Sequence, residues 1–111
     1  MTKAASKRAK TAPVFAALGD ETRLHIVARL CREGPLPTVR LTDGSNISRQ
    51  AIAKHLNALS KAGLVRSERT GRERMWKLEV NQFAQAGRYL EQISREWDEA
   101  LGRLRALVEN D

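Results

Sequence analysis

The sequence predicts a mostly α-helical fold carrying one β-hairpin, and three observations predict it. The first is the stretch ISRQAIAKHLNALSKAGLVRSERTGRERMWKLE, residues 47–79, which reads as a capped amphipathic helix running straight into a basic hairpin. The second is the punctuation of the N-terminal half, where Gly19, Asp20, Gly34 and Pro35 cut the chain into short helices. The third is a C-terminal stretch whose apolar residues recur at alternating spacings of three and four, a heptad seam. A reading-type helix followed by a basic hairpin is the winged helix-turn-helix arrangement, here with five or so helices.

Residues 1–10 hold Ala, Lys, Arg and Ser without periodicity and are expected to be a disordered basic tail, ahead of one domain over 11–111. A short first helix follows, with Pro13 near its first position and Val14, Phe15 and Leu18 as its apolar side. Asp20 can cap a second helix, Glu21 to Glu33, whose expected apolar stripe is Leu24, Val27, Leu30 and Cys31. Residues 36–46, LPTVRLTDGSN, contain weak helix formers and suggest only a short, loose positioning helix.

Ser48 is placed to accept from a free N–H of the next helix's first turn. Ile52, Leu56 and Leu59 then share one face, while Arg49, Gln50, Ala53, Lys54 and Asn57 occupy the other. Long donors and acceptors around one small residue suit a helix lying in a major groove. Gly63 ends the helix in the left-handed conformation. Leu64–Thr70 and Arg74–Glu79 then read as strands around a turn at Gly71 and Arg72. Trp76 and Leu78, on one side of the second strand, are expected to pack this wing onto the reading helix. The last helix spans about 82–108, with Asn81 as cap and a seam through Leu90, Ile93, Trp97, Leu101 and Leu104. A domain of this size cannot cover so long a seam, and the same helix of a second copy is the simplest partner.

Charge sharpens the picture. The chain of 111 residues carries +7, favouring an anionic partner. Residues 36–77 hold nine basic against three acidic side chains, whereas residues 78–111 hold four against seven. The positive charge thus concentrates on the helix–hairpin unit and on the tail (Lys3, Lys7, Arg8, Lys10), which can touch phosphate non-specifically or be merely solvated. Arg69, Arg72 and Arg74 read as phosphate or minor-groove contacts, or as charges that blunt an exposed hairpin edge.

Other classes recede. No apolar run approaches the roughly 20 residues that span a bilayer, and MTKAASKRAKTA lacks the apolar core of a secretory signal, so a cytoplasmic chain without membrane contact is expected. A single cysteine allows no intrachain disulfide. Two distant histidines and Cys31 do not make a zinc site. No Gly-rich phosphate loop, carboxylate pair or nucleophile–base pair is visible, so no catalytic residue and no cofactor are expected.

Three segments carry a resemblance to the arsenic-repressor (ArsR) family of bacterial winged-helix regulators. FAALGDETRLHIVARL, residues 15–30, resembles its entry signature; SRQAIAKHLNALSKAGLV, residues 48–65, its reading helix; and GRERMWKLE, residues 71–79, its returning wing strand. The resemblance implies a homodimer closed by the first and last helices, which adds Phe15 to the interface seam. It also implies operator binding as a repressor, commonly on the regulator's own promoter. Carried over, the DNA readers are Ser48, Arg49, Gln50, Ala53, Lys54 and His55. Metal-sensing members have a Cys-x-Cys pair where this chain has Thr38 to Leu41, and others bind zinc through Asp and His pairs in the last helix, where this chain offers Glu96, Asp98 and Glu99 but no His. The chain resembles the branch without metal sites.

The expectation is therefore a homodimeric repressor on double-stranded DNA, reading an imperfect palindrome because a two-fold protein reads a two-fold site. A small-molecule inducer is unidentified. Two other readings stand beside it. One is a thiol-responsive repressor sensing through Cys31, which otherwise reads as a small core residue. The other is a protein-interaction or dimerisation module whose basic face is only solubilising.

Overall fold

Asp20 and Ser48 each start a helix as their side chains predict. In the computed structural model, which describes residues 2–109, Asp20 accepts from the Arg23 N–H at 3.0 Å and Ser48 from the Ala51 N–H at 3.1 Å. The elements run α1 (Lys3–Leu18), α2 (Glu21–Glu33), β1 (Leu36–Pro37), α3 (Thr38–Thr42), α4 (Arg49–Lys61), β2 (Val65–Thr70), β3 (Glu73–Leu78) and α5 (Val80–Glu109). The three strands form one antiparallel sheet in the order β1-β3-β2.

The expected tail at residues 1–10 is corrected by α1, which begins at Lys3 and is capped by the Thr2 hydroxyl accepting from the Ala5 N–H. Ala, Lys and Arg are strong helix formers, so periodicity is not needed for this segment to be helical. Pro13 consequently lies inside the helix rather than at its start. The expected stripe of α2 is also rotated. Ile26 and Leu30 are buried and Val27 half-buried, while Leu24 and Cys31 are exposed. Cys31 is therefore not a core residue.

The core is shared by every helix. Val14 and Ala17 of α1, Ile26 and Leu30 of α2, Leu41 of α3 and Ala86 of α5 surround Ile52, Leu56 and Leu59 of α4. The last three are at most 1 % exposed, so α4 is the element the rest is built around. Burying three such side chains contributes roughly 1.5–3 kcal/mol each, enough to fix the rotation of α4 about its axis.

Two joints hold α4 in place. At its C-terminus Ala62 closes the helix, Gly63 turns at φ 77°, the Gly63 N–H donates to the Ser60 carbonyl and the Leu64 N–H to the Leu59 carbonyl. This pair of bonds is a Schellman motif, which needs the left-handed conformation. The Gln82 side-chain amide, from α5, donates to the Ala62 carbonyl at 3.2 Å. At the other end Ser45 organises the α3–α4 turn, its hydroxyl donating to the Thr42 carbonyl at 2.8 Å.

The β1 strand is absent from the sequence expectation. Leu36 pairs with Trp76 and Pro37 with Met75. Trp76 is correspondingly not a pin between wing and α4 alone: its indole N–H donates to the Thr38 hydroxyl at 2.9 Å, tying β3 to the first residue of α3. Asn81 falls inside α5 rather than at its cap.

Candidate nucleic-acid interface

The faces of α4 are sharply unequal. Ile52, Leu56 and Leu59 are buried; Arg49, Gln50, Ala53, Lys54 and Asn57 are all exposed, as is Ser48 before them. The i, i+4 spacing of Gln50 and Lys54 puts them one turn apart, with Ala53 between. Among the described residues, no hydrogen bond or ion pair engages the side chains of Arg49, Gln50, Lys54 or Asn57. Their donors are left to solvent, and the small Ala53 leaves a shallow place between them for a partner surface.

His55 departs from this set. It is half-buried, and its Nδ1 lies 3.9 Å from the Asp20 carboxylate. That separation is too long for a hydrogen bond but close enough for charge to matter. The Arg23 N–H holds the Asp20 carboxyl below its ordinary value of 3.8, and the charge of His55 adds to the effect. His55 thus faces Asp20 at the start of α2, apart from the exposed set with which the resemblance groups it. Nothing in the linear sequence signals this proximity.

The wing sorts its own cations. Lys77 Nζ lies 2.9 Å from Glu68, and Arg66 Nε lies 2.8 Å from Glu79, so both are neutralised within the hairpin. The Lys77 bond holds the Glu68 carboxyl below its ordinary value of 4.5. Arg74 donates to the Ser67 hydroxyl at 2.7 Å and is drawn along the strand. Arg69 and Arg72 are exposed and engage no partner among the described residues. The loop between the strands is Gly71-Arg72, with Gly71 at φ 65° in its first position, the place where a tight primed turn needs glycine. The unneutralised charge of the wing therefore lies at its tip.

The support behind α4 is electrostatic as well as apolar. Arg29 of α2 donates to the Arg40 carbonyl at 2.7 Å and pairs with Glu33 at 2.9 Å, and Arg40 approaches Glu33 at 3.7 Å. The Arg29 bond holds the Glu33 carboxyl below its ordinary value of 4.5. These contacts link α2 to α3, the helix that precedes α4. The Arg29–Glu33 pair has the local i, i+4 spacing of a helix, whereas the bonds to Arg40 join two elements and carry no signal in the sequence.

The expected interface seam lies on α5. Leu90, Leu101 and Leu104 are exposed, Trp97 is 63 % exposed, and Ile93 is half-buried. Phe15 is half-buried and packs against the chain's own core. Among the described residues, no three of His, Cys, Asp and Glu converge as a metal-binding group. No helix among them is long and apolar enough to cross a membrane.

A helix-turn-helix domain model matches residues 18–68, which contain α2 through most of β2. The fold superposes on an ArsR-like transcriptional regulator from Rhodococcus sp. RHA1 with a TM-score of 0.79 and 41 % identity, over 92 % of this chain and 95 % of that one. The chain belongs to the ArsR family of winged helix-turn-helix transcriptional regulators. A further relative, the HTH-type transcriptional regulator YuzN of Bacillus subtilis strain 168, is 46 % identical over 68 residues, covering 56 % of this chain and 74 % of the relative. A homodimeric winged helix-turn-helix DNA-binding domain from Mycobacterium bovis, a possible ArsR-family regulator, shares the fold at TM-score 0.68 and 21 % identity, over 86 % of this chain and 88 % of that one. As an ArsR-family regulator with a helix-turn-helix DNA-binding domain, the chain is not an enzyme. In that frame α3 and α4 are the helix-turn-helix, and β2 and β3 the wing.

Proposed function

We propose that this ArsR-family regulator is a homodimeric repressor that reads an imperfect palindromic operator through α4. The observation that carries the reading is the two-sidedness of that helix. One face is locked into the core by Ile52, Leu56 and Leu59, and the other offers Arg49, Gln50, Lys54 and Asn57 without partners of their own. Gln matches adenine, and Lys or Arg matches guanine, at major-groove edges. Ser48, just ahead of α4, approaches the DNA backbone. Arg72 and Arg69, at the wing tip, hold phosphates, with Arg74 lending weaker help because Ser67 already engages it. His55 orients α4 against Asp20 rather than reading bases.

The dimer reading rests on the exposed α5 seam and on the homodimeric state of the structurally similar M. bovis domain. Two copies joined along α5 present two α4 helices to successive major grooves, and a two-fold protein reads a two-fold site. Repression follows from occupying the promoter.

Titration of the wild-type chain, Gln50→Ala and Arg72→Ala against the DNA upstream of its own gene and against scrambled duplex, at two salt concentrations, tests this. Gln50→Ala loses on the order of 1–3 kcal/mol on the specific duplex and little on the scrambled one. Arg72→Ala weakens both alike and lowers the salt slope by about one ion. Discrimination left intact in Gln50→Ala means that α4 docks on another face. The exposure of Cys31 gives the thiol-responsive reading access to oxidant; a Cys31→Ser chain whose DNA binding still responds to peroxide removes it.

A further inference from the structure

The first half of α1 lies along α5, and between them is a cleft of about 330 Å³ lined by Lys7, Lys10, Thr11, Gln85, Arg88 and Tyr89. We infer that this cleft binds a small phosphate-bearing organic molecule, which acts as an effector of the regulator.

The charge of the cleft is one-sided. Lys7, Lys10 and Arg88 bring three cations to one cleft, and no carboxylate lines it. None of the three has a carboxylate within 4.0 Å among the described residues. The absence is specific to this place, because α5 carries Glu91, Glu96, Asp98 and Glu99. Glu96 instead lines the adjoining cleft with Lys7 and Arg8 and accepts from the Gln92 amide at 3.4 Å. Lys7 and Lys10, three apart on one helix, are neighbours of like charge, an arrangement that an anion between them would relieve.

The remaining lining residues narrow the ligand. Thr11 and Tyr89 bring hydroxyls and Gln85 an amide, all able to donate to oxyanion oxygens. Arg88 can bond two oxygens of a tetrahedral oxyanion at once, and the lysines act as point charges beside it. Three cations more than offset the charge of about −1.5 to −2 that a phosphate monoester carries near neutral pH. The Tyr89 ring gives the organic part an apolar wall. A volume of about 330 Å³ lies at the lower end of the range for small-molecule sites, so the ligand is a compact monoester rather than a dinucleotide.

The position makes the site regulatory. Gln85, Arg88, Tyr89 and Gln92 share one face of α5, and the face beside it carries Ala86, Leu90, Ile93 and Trp97. A ligand that draws α1 toward α5 therefore acts next to the seam through which two copies are proposed to meet. Its effect on DNA rests on the repressor reading above, whereas the binding itself does not.

Calorimetric titration of the full chain, without DNA, uses phenyl phosphate, inorganic phosphate and benzoate as probes. Phenyl phosphate is expected to saturate at one equivalent per chain, more tightly than inorganic phosphate, with benzoate weakest. Arg88→Gln and the Lys7→Gln/Lys10→Gln double variant should each weaken phenyl phosphate at least tenfold, while Arg105→Gln, which removes an α5 cation outside the cleft, leaves it unchanged. Circular dichroism melting keeps the comparison to folded variants. Non-saturating binding, or equal weakening by Arg105→Gln, overturns the site. So does a loss of about two ions from the salt slope of duplex binding in the lysine double variant, since those cations would then hold DNA phosphates. Saturable phenyl phosphate binding with no change in duplex affinity retains the site and removes its regulatory role.

Discussion

Replacing Gly63 with alanine tests the joint on which the orientation of α4 depends. The residue sits at φ 77°, and alanine there costs about 1–2 kcal/mol because its Cβ crowds the neighbouring carbonyl. The new Cβ would also lie 3.1 Å from Gln82 Nε2, so the amide must yield by a few tenths of an ångström. That amide donates to the Ala62 carbonyl at 3.2 Å, a bond whose net worth is about 0.5–1.5 kcal/mol. Alanine restricts the unfolded chain and returns up to about 1 kcal/mol. The expected net loss is about 1–3 kcal/mol, or roughly 5–15 °C in melting temperature for a domain of this size. Thermal and urea unfolding at one fixed protein concentration measure it, because a dimer's melting temperature moves with concentration. The double variant with Gln82→Ala separates the two parts. With the amide gone, Gly63→Ala should lose less, since only the backbone term is left. A loss under about 0.5 kcal/mol in the wild-type background would refute the left-handed turn. An equal loss in both backgrounds would refute the contact with α5.

Other outcomes follow from other parts of the molecule. Trp97→Ala should weaken self-association by at least about 2 kcal/mol, about thirtyfold, and DNA binding with it; sedimentation over a concentration series checks this, and a monomer that binds as tightly as wild type counts against it. Asp20, Glu33 and Glu68 all have carboxyls held below their ordinary values, so their contribution is fully present above the unfolded values of 3.8 and 4.5 and disappears as pH falls through the lower folded ones. Melting temperature should therefore be flat from pH 7 to about pH 5 and fall below about pH 4, with a smaller acid loss in Asp20→Asn; an unchanged slope in that variant would exclude Asp20 as a contributor. Zinc, cadmium and arsenite should leave DNA affinity unchanged, because no convergent ligand set is present among the described residues, and stoichiometric metal retained after dialysis with altered affinity would show otherwise.

Local chemistry was legible in the sequence; rotations and distant pairings were not. Asp20, Ser48 and Gly63 act within three or five residues of themselves, so their roles can be read from the chain alone. The apolar residues of α2 offer two overlapping stripes, Leu24–Val27–Leu30–Cys31 and Ile26–Val27–Leu30, and periodicity does not choose between them. The choice is made by packing against α1 and α4, which buries Ile26 and Leu30 and turns Cys31 outward. Residues 3–10 read as a tail because no apolar face runs through them, yet helix propensity and the Thr2 cap suffice for helix beside α5. The two-residue β1 exists only through its pairing with β3, and the role of Trp76 follows from that pairing. In the candidate interface, the exposed set on α4 and the tip position of Arg72 agree with the sequence pattern. The approach of His55 to Asp20 and the neutralisation of Arg66 and Lys77 needed three dimensions.

The attachment of α5 to α4 has a mechanical consequence. Near its first turn, Gln82 is fastened to the Ala62 carbonyl at the end of α4, while the second half of the 30-residue rod is largely exposed. At 1.5 Å per residue the rod is about 45 Å long. A tilt of about five degrees at the fastened end sweeps the far end through roughly 4 Å, comparable to the spacing between base pairs. If two copies join along α5 as proposed, a slight change in how the two rods cross would change the separation of their α4 helices. In that proposed dimer, operator spacing and the proposed effector would act on one variable, the crossing angle of the two α5 helices.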